Sequence, residues 1–214
     1  MKKILFIFLT SIISLYGNQS GSCEKSNPNT SCTSGNEWAK GHPLLEIKSG
    51  YFFFSEHIMR QVYNKGGVDV QLSYSQPVWK WLQIYSAVDY IQANGRSLNG
   101  HYFTKIRIIP LSLGLKPVIP ITSWADYYLY LGPRYFFVNI NNSSPYVDHS
   151  KHGNGLGGFA GTGFLFRPME HFVIDLFGDY SYKKKSFHSS KKNVSGHSVD
   201  IGGFAFGAGL GYEF

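Results

Sequence analysis

Serine directly follows histidine near the C-terminus, at His188 and Ser189 and at His197 and Ser198. A serine nucleophile needs a histidine base within hydrogen-bonding distance and a third residue that orients the imidazole. Both pairs fall in or beside a predicted loop, and adjacent residues in a strand point to opposite faces. The pairs therefore do not favour a Ser-His hydrogen bond, and we predict that the protein is not an enzyme.

A second group of candidate residues is the sequence DHSKH at positions 148 to 152, where Asp148, His149 and His152 could ligate a metal ion. In a loop this spacing imposes no geometry, and solvated side chains are the alternative, so we predict neither a metal site nor a cofactor. Six of the eight histidines lie in or beside the four longest connectors: His57, His101, His149, His152, His188 and His197. Their protonation near about pH 6 would raise the charge of these connectors, which leads to the hypothesis of an acid-responsive surface.

The third candidate is the basic segment KKKSFHSSKKNVSGH at positions 183 to 197. It contains no acid and five lysines: Lys183, Lys184, Lys185, Lys191 and Lys192. Clustered positive charge attracts anionic surfaces, such as lipopolysaccharide phosphates, acidic glycans or another cell. The alternative is a solvated loop whose charge only keeps the protein from aggregating.

The elements that carry these residues follow an N-terminal leader. Residues 1–20 begin with Lys2 and Lys3 and continue with an apolar run from Ile4 to about Tyr16, which predicts a secretory signal peptide. The cleavage site is predicted between residues 17 and 22. An exported protein rarely meets nucleic acid, so we do not expect a nucleic-acid partner.

Residues 21–43 are polar and predict a flexible periplasmic arm. The arm contains the two cysteines of the chain, Cys23 and Cys32, which could form a short disulfide in an oxidising compartment. Two unpaired thiols are the alternative.

From Leu44 to Phe214 apolar and polar residues alternate with a period of two in eight runs, which is typical of half-buried strands. Charged residues make up 15% of the chain, against about 25% in soluble domains, and aromatic residues make up 17%. Long and short connectors alternate between the runs, as they do in outer-membrane barrels. The sequence therefore predicts an all-β fold, an eight-stranded antiparallel up-and-down transmembrane β-barrel, over residues 44–214.

The polar face of the predicted strands carries charges of both signs, which could pair inside a narrow barrel. The acids are Glu46, Asp69, Asp89, Asp175, Asp179 and Asp200, and the bases are Lys48, Lys105, Arg107 and Arg134. Lys105 and Arg107 lie opposite Ile106 and Ile108, and this run is expected to change phase near Pro110, as a bulge or an edge kink would require. Eight strands enclose a lumen that side chains can fill, so a plugged barrel is expected rather than an open porin.

Aromatic residues recur at the ends of the predicted strands, as expected of rings at two membrane interfaces. They are Tyr51, Phe53, Trp79, Trp81, Tyr90, Tyr102, Trp124, Tyr127, Tyr180 and Tyr182. In the last run, IGGFAFGAGLGYEF, glycines would face the lumen while Phe204, Phe206 and the later large side chains would face lipid.

The last eight residues, GAGLGYEF, end an alternating pattern on an aromatic residue. This pattern resembles the C-terminal signal of Gram-negative outer-membrane barrels, although Gly207 stands where the usual pattern has a polar residue. The resemblance implies that the barrel-assembly machinery reads the four matching residues: Gly209, Leu210, Tyr212 and Phe214. Over residues 44–214 the strand number, connector alternation and closing strand resemble the eight-stranded barrels of the OmpA transmembrane domain, OmpX and opacity-protein type.

The resemblance implies a location in the outer membrane of a Gram-negative bacterium, with the C-terminus in the periplasm and the long connectors outside. The expected partners are outer-membrane lipid and lipopolysaccharide, the assembly machinery, and an anionic ligand on a host or cell surface. We predict a structural or adhesive barrel that acts through four long basic, histidine-containing extracellular loops. The alternatives are a lipid-modifying enzyme of the lipid A deacylase or acyltransferase type, a small-solute or ion channel, and a soluble periplasmic lipocalin-like binder.

Overall fold

The computed structural model describes residues 42–63, 66–96, 102–142, 150–186 and 198–214. Within these residues the chain forms ten strands and one short helix, α1 (His57–Val62). The strands are β1 (Leu44–Phe54), β2 (Gly66–Trp79), β3 (Leu82–Arg96), β4 (Phe103–Pro120), β5 (Ala125–Asn142), β6 (Ser150–Phe166), β7 (Phe172–Tyr182), β8 (Lys184–Ser186), β9 (Ser198–Asp200) and β10 (Gly203–Glu213).

Eight of these strands form a closed antiparallel barrel in the order β1-β10-β7-β6-β5-β4-β3-β2. The barrel closes between its first and last strands, where Leu45 pairs with Tyr212 and Phe53 pairs with Phe204. The predicted eight-stranded barrel, closed by its C-terminal strand, is confirmed. The two remaining strands, β8 and β9, pair with each other in a separate two-stranded sheet.

We call the two ends of the barrel the terminal end and the loop end. The terminal end holds the start of β1, the end of β10 and three short turns, whereas the loop end holds the four other connectors. The strands β3 to β6 have 15 to 18 residues each. Because a tilted strand crosses the hydrocarbon layer with about 9–11 residues, these four strands are long enough to extend past it.

A belt of exposed apolar side chains surrounds the barrel, and rings of exposed aromatic residues lie at both limits of the belt. The exposed aromatic residues at the terminal end include Trp79, Trp81, Trp124 and Phe214, and those at the loop end include Tyr51, Tyr90 and Tyr182. A continuous apolar surface of this extent fits hydrocarbon rather than water. No helix among the described residues is long and apolar enough to cross a membrane.

Two predictions about β4 are wrong. The side chains of Lys105 and Arg107 point outward, Ile106 and Ile108 are buried in the lumen, and the alternation continues through Pro110 without a change of phase. The physical reason is that this part of β4 lies beyond the apolar belt, where the outer face meets water and the inside is an ordinary apolar core. Along β4 the polar side chains therefore change from the inner face to the outer face, while the backbone of the strand stays regular.

Other predicted residues lie outside the barrel or outside the described residues. Asp200 was expected on the polar face of the barrel, but it lies in β9, which is not a barrel strand. The signal peptide (1–20) and the arm as far as residue 41 lie outside the described residues, and so do Cys23, Cys32, His101, Asp148, His149, His188, Ser189 and His197.

Candidate functional site

The lumen near the terminal end holds a network of two acids and two bases. Lys48 Nζ lies 3.4 Å from Glu46 Oε2 and forms a closer ion pair with Asp175. Lys116 Nζ lies 3.3 Å from Glu46 Oε2, and the Tyr128 hydroxyl donates to the Asp175 carboxylate at 2.7 Å. All five side chains are buried. The formal charges balance, which is what ions removed from water require.

A second network closer to the loop end centres on Arg134, which is 1% exposed. Its Nη2 atom lies 3.0 Å from Asp179 Oδ2 and 3.4 Å from Asp89 Oδ2. Its Nε atom donates to Ser112 Oγ at 2.8 Å, and Gln71 Nε2 donates to Asp89 Oδ1 at 2.7 Å. These five residues come from five different strands, so the network ties the barrel wall together across the lumen.

Glycine on β6 makes room for the aromatic rings that lie beside these networks. A Cβ atom on Gly161 would lie 2.5 Å from Tyr130 Cζ and 2.7 Å from Asp179 Cβ. The Tyr130 ring is packed from other sides as well, with its centroid 5.1 Å from that of Tyr85 and 5.7 Å from that of Phe159. Side chains therefore fill this part of the lumen to the wall.

An apolar cluster fills the loop end of the lumen, and α1 and the residue that follows it contribute to this cluster. Met59 and Tyr63 are buried among apolar side chains, and the Tyr63 ring centroid lies 5.7 Å from that of Phe54. The hydroxyl group of Tyr63 lies 3.5 Å from Thr104 Oγ1. Burial raises the pKa of Tyr63, and the hydrogen bond with Thr104 opposes this in part. The loop end of the lumen is a packed core.

At the terminal end an arginine binds the last strand. Arg167, in the turn after β6, donates to Glu213 Oε1 at 2.9 Å and forms an ion pair with Asp126. Burial opposes the positive charge, but the hydrogen bonds to Glu213 and Asp126 raise the pKa of Arg167 above its ordinary value. The backbone N–H of Phe214 donates to the carbonyl of Pro43 at 3.0 Å. The C-terminal residues are thus held by two different parts of the chain.

The four residues of the predicted assembly signal lie on β10 and directly after it. Leu210, Tyr212 and Phe214 point outward and are exposed, whereas Gly209 faces the lumen against the Lys48 side chain. Gly209, Leu210 and Tyr212 lie on β10, which pairs with β1, and Phe214 follows directly after the strand. Their recognition by the assembly machinery stays a prediction.

Deleting Phe214, or appending a charged tail to it, should prevent most of the protein from assembling in the membrane. Either change removes the apolar chain end of the predicted assembly signal. The measurement is the fraction of membrane-associated protein that migrates as a compact form in unboiled samples, because a closed barrel stays folded in detergent until heated. The control Phe214→Tyr keeps an aromatic ring and should assemble normally. Normal assembly of the deletion and the tailed variant would contradict the role of Phe214.

The predicted anionic-surface site is only in part a surface. Lys183 is 2% exposed, and its Nζ atom lies 5.4 Å from the centre of the Phe136 ring. The prediction that Lys183 contacts a surface partner is therefore wrong, because its stem packs against the apolar cluster at the loop end. For the other four lysines the structure describes at most the backbone: Lys184, Lys185, Lys191 and Lys192.

Sequence reasoning missed two of the charged residues that organise the interior, Lys116 and Arg167. The signal for Lys116 was present, because an unbroken period of two from Ile106 puts it on the same face as Ser112. Arg167 lies in a short turn, where no periodicity marks which way a side chain points. Among the described residues no group of three or more His, Cys, Asp or Glu could hold a metal ion.

No family model matches the chain, and no curated protein matches it. Solved structures do resemble it. One of them is Ail, the attachment invasion locus protein of Yersinia pestis, in complex with the heparin analogue sucrose octasulfate. It has 17% sequence identity to this chain and a TM-score of 0.53, and the match covers 82% of this chain and 100% of that chain. Neisserial surface protein A has 14% identity and a TM-score of 0.54, with 80% and 97% covered. The outer-membrane protein AlkL, in lipid bilayers, has 11% identity and a TM-score of 0.54, with 89% and 96% covered.

At these levels of identity the likeness lies in the fold. The closed order of eight antiparallel strands, the apolar belt and the polar lumen agree with it. The chain is a small β-barrel with the eight-stranded fold of outer-membrane proteins.

Proposed function

We propose that this outer-membrane barrel binds an anionic partner at its loop end and acts neither as a channel nor as an enzyme. The observation that carries the proposal is the filled lumen. Two ion networks and an apolar core occupy the lumen from the terminal end to the loop end. A solute could pass only if several buried ion pairs were broken, which is energetically costly. This favours a contact function on the exposed surface.

The loop end is the most basic part of the chain. Its connectors and the strand ends beside them, residues 55–66, 92–107, 139–155 and 182–202, contain eleven Lys or Arg, of which Lys183 is buried, and three Asp or Glu. The rest of the chain contains nine Lys or Arg and ten Asp or Glu. A surface with one dominant sign of charge attracts polyanions from a distance. Sulfated or phosphorylated glycans are therefore the class of partner that the charge favours.

We place the loop end outside the cell and the chain termini in the periplasm. In outer-membrane barrels the longer connectors are extracellular and the short turns are periplasmic. The complex of Ail with a heparin analogue supports the choice of ligand class, since it is a polyanion bound to a barrel of the same fold.

The purified barrel in detergent micelles is expected to bind heparin with an affinity that falls as salt rises. Replacing Lys184, Lys185, Lys191 and Lys192 with glutamine should weaken binding by at least about tenfold, because each base near an anionic surface contributes on the order of 1 kcal/mol. Surface plasmon resonance at two salt concentrations measures both effects. The control Lys80→Gln removes an exposed base from the terminal end and should leave the affinity unchanged. Equal affinities of the wild type and the fourfold variant would contradict the proposal.

Orientation is tested separately, with an epitope inserted into the connector between β5 and β6. Antibody should label this epitope on intact cells, and labelling that appears only after permeabilisation would contradict the proposed orientation. A stable unit conductance of the same preparation in planar bilayers would favour the channel alternative instead.

A further inference from the structure

The outer wall of three adjacent strands, β3, β4 and β5, carries polar side chains beyond the apolar belt. Three of these side chains are bases and four are amides, and all seven point outward at the loop end. We call them the wall patch: Gln92, Asn94, Arg96, Lys105, Arg107, Asn139 and Asn141.

The strand register arranges the wall patch in rows. Arg107 lies between Gln92 on β3 and Asn139 on β5, and Lys105 lies between two asparagines in the next row. Directly opposed residues in antiparallel strands have Cβ atoms about 4.5–5.5 Å apart. Lys105 and Arg107 therefore each have an amide on both sides, within reach of one shared ligand, whereas Arg96 lies opposite Phe103.

The wall patch begins directly above the apolar belt. The adjacent row toward the terminal end consists of Tyr90, Ile109 and Phe137, and all three are exposed. From Ile109 to Ile119 every outward side chain of β4 is apolar, over 11 residues, and about 9–11 residues are what a tilted strand needs to cross hydrocarbon. The patch thus lies at the height of lipid headgroups. The Tyr90 hydroxyl donates to Gln92 Oε1 at 3.0 Å, which leaves the amide nitrogen of Gln92 available as a donor.

The wall patch contains no acid, and it occupies one side of the barrel. The acids of β3 and β5, Asp89 and Asp126, are buried, and β4 has none. On the other side of the barrel, at the loop end of β1, β7 and β10, the outward side chains are aromatic: Tyr51, Phe53, Tyr180, Tyr182, Phe204 and Phe206. None of the described outward side chains on those three strands is a base. The contrast distinguishes a local binding site from a uniformly basic rim.

We propose that the wall patch binds the phosphate groups of one lipopolysaccharide molecule whose acyl chains lie against the apolar wall of β3, β4 and β5. Lysine and arginine form charge-assisted hydrogen bonds with phosphate, and the neighbouring amides add donors. A soluble polyanion would use the bases alone, whereas a phosphorylated lipid uses both the bases and the apolar wall beneath them. The inference rests on the proposed orientation, because lipopolysaccharide occupies the outer leaflet.

The test compares two double variants with the same change in charge. Lys105→Gln with Arg107→Gln removes bases from the wall patch, and Arg60→Gln with Lys80→Gln removes two exposed bases outside it. Each folded barrel in micelles is titrated with lipid A that carries two phosphates and, separately, with dephosphorylated lipid A. Native mass spectrometry measures how much of each lipid is bound. We expect the wild type and the Arg60/Lys80 variant to prefer the phosphorylated lipid, and the patch variant to lose on the order of tenfold or more of that preference.

The gel shift on boiling confirms that each variant is folded before it is titrated. The inference is overturned if the wild type has no preference for phosphate, if the patch variant keeps it, or if the Arg60/Lys80 variant loses as much. Heparin binding of the same proteins separates this inference from the proposed function. If the barrel prefers phosphorylated lipid A through the wall patch but does not bind heparin, the inference stands and the polyanion proposal is rejected. If the barrel binds heparin but shows no phosphate preference that depends on the wall patch, only the inference is rejected.

Discussion

Replacing Arg134 with alanine is expected to lower the free energy of unfolding by about 3–5 kcal/mol, the range for a buried ion pair that loses one partner. The guanidinium group of Arg134 is the cation that joins Asp89 and Asp179 across the lumen. Without it, the buried carboxylates of Asp89 and Asp179 lose their shared cation, next to a third buried acid, Asp69. Urea unfolding of the barrel in lipid vesicles, followed by tryptophan fluorescence, measures the change.

The matched control is Arg60→Ala, which removes an exposed arginine from α1 and should change the stability by less than about 0.5 kcal/mol. A compensating variant separates lost charge pairing from lost packing. Arg134→Met combined with Asp89→Asn and Asp179→Asn removes the cation together with the two carboxylates that it pairs, and should regain most of the lost stability. An Arg134→Ala barrel as stable as the wild type would show that the network does not hold the wall together.

The substitution Gly161→Leu should destabilise the barrel by about 1–3 kcal/mol or more, as overpacking of a filled core does. The Cβ atom alone would lie 2.5 Å from Tyr130 Cζ, and the Tyr130 ring is held by Tyr85 and Phe159. These neighbours restrict the movement of the Tyr130 ring, so part of the strain should pass to the β6 backbone. The same urea titration in lipid vesicles measures this loss.

Ala160→Leu is the matched control, because it adds a larger side chain one residue away, on the outward face of β6. That side chain meets lipid, so the stability of the Ala160→Leu barrel should stay close to that of the wild type. Adding Tyr130→Ala to Gly161→Leu should recover part of the loss by vacating the space that leucine needs. If Gly161→Leu and Ala160→Leu behave alike, the lumen is not packed as described.

Within the apolar belt the sequence predicts both the strands and their faces. Glu46 beside Ile47, and Asp175 beside Ile174, alternate between a charged lumen and hydrocarbon, and the structure places each of them on the expected side. The contrast between the two environments is large there, so a period of two also reveals which face is which. The alternation of long and short connectors then indicates an up-and-down order.

Beyond the belt the same pattern still shows which residues share a face, but it no longer shows which face is inside. Lys105 and Arg107 were expected in the lumen because charge is inside along the rest of the barrel. At the loop end the outer surface meets water, and the inner surface is the apolar cluster that holds Ile106 and Ile108. The wall patch is a consequence of this inversion. It can be recognised only when the structure shows how far each strand extends beyond the apolar belt.

By itself the sequence determined the strand number, the closing strand and the two faces of most strands, because these depend on local periodicity and on the contrast between lipid and lumen. Only the tertiary structure decided which charges meet. Arg134 and Asp179 are 45 residues apart in the chain, and they pair because the stagger of the closed barrel brings their two strands to the same height across the lumen. The same long-range geometry buries Lys183 and leaves Lys105 and Arg107 on the wall, since burial depends on neighbours that lie far away in the chain.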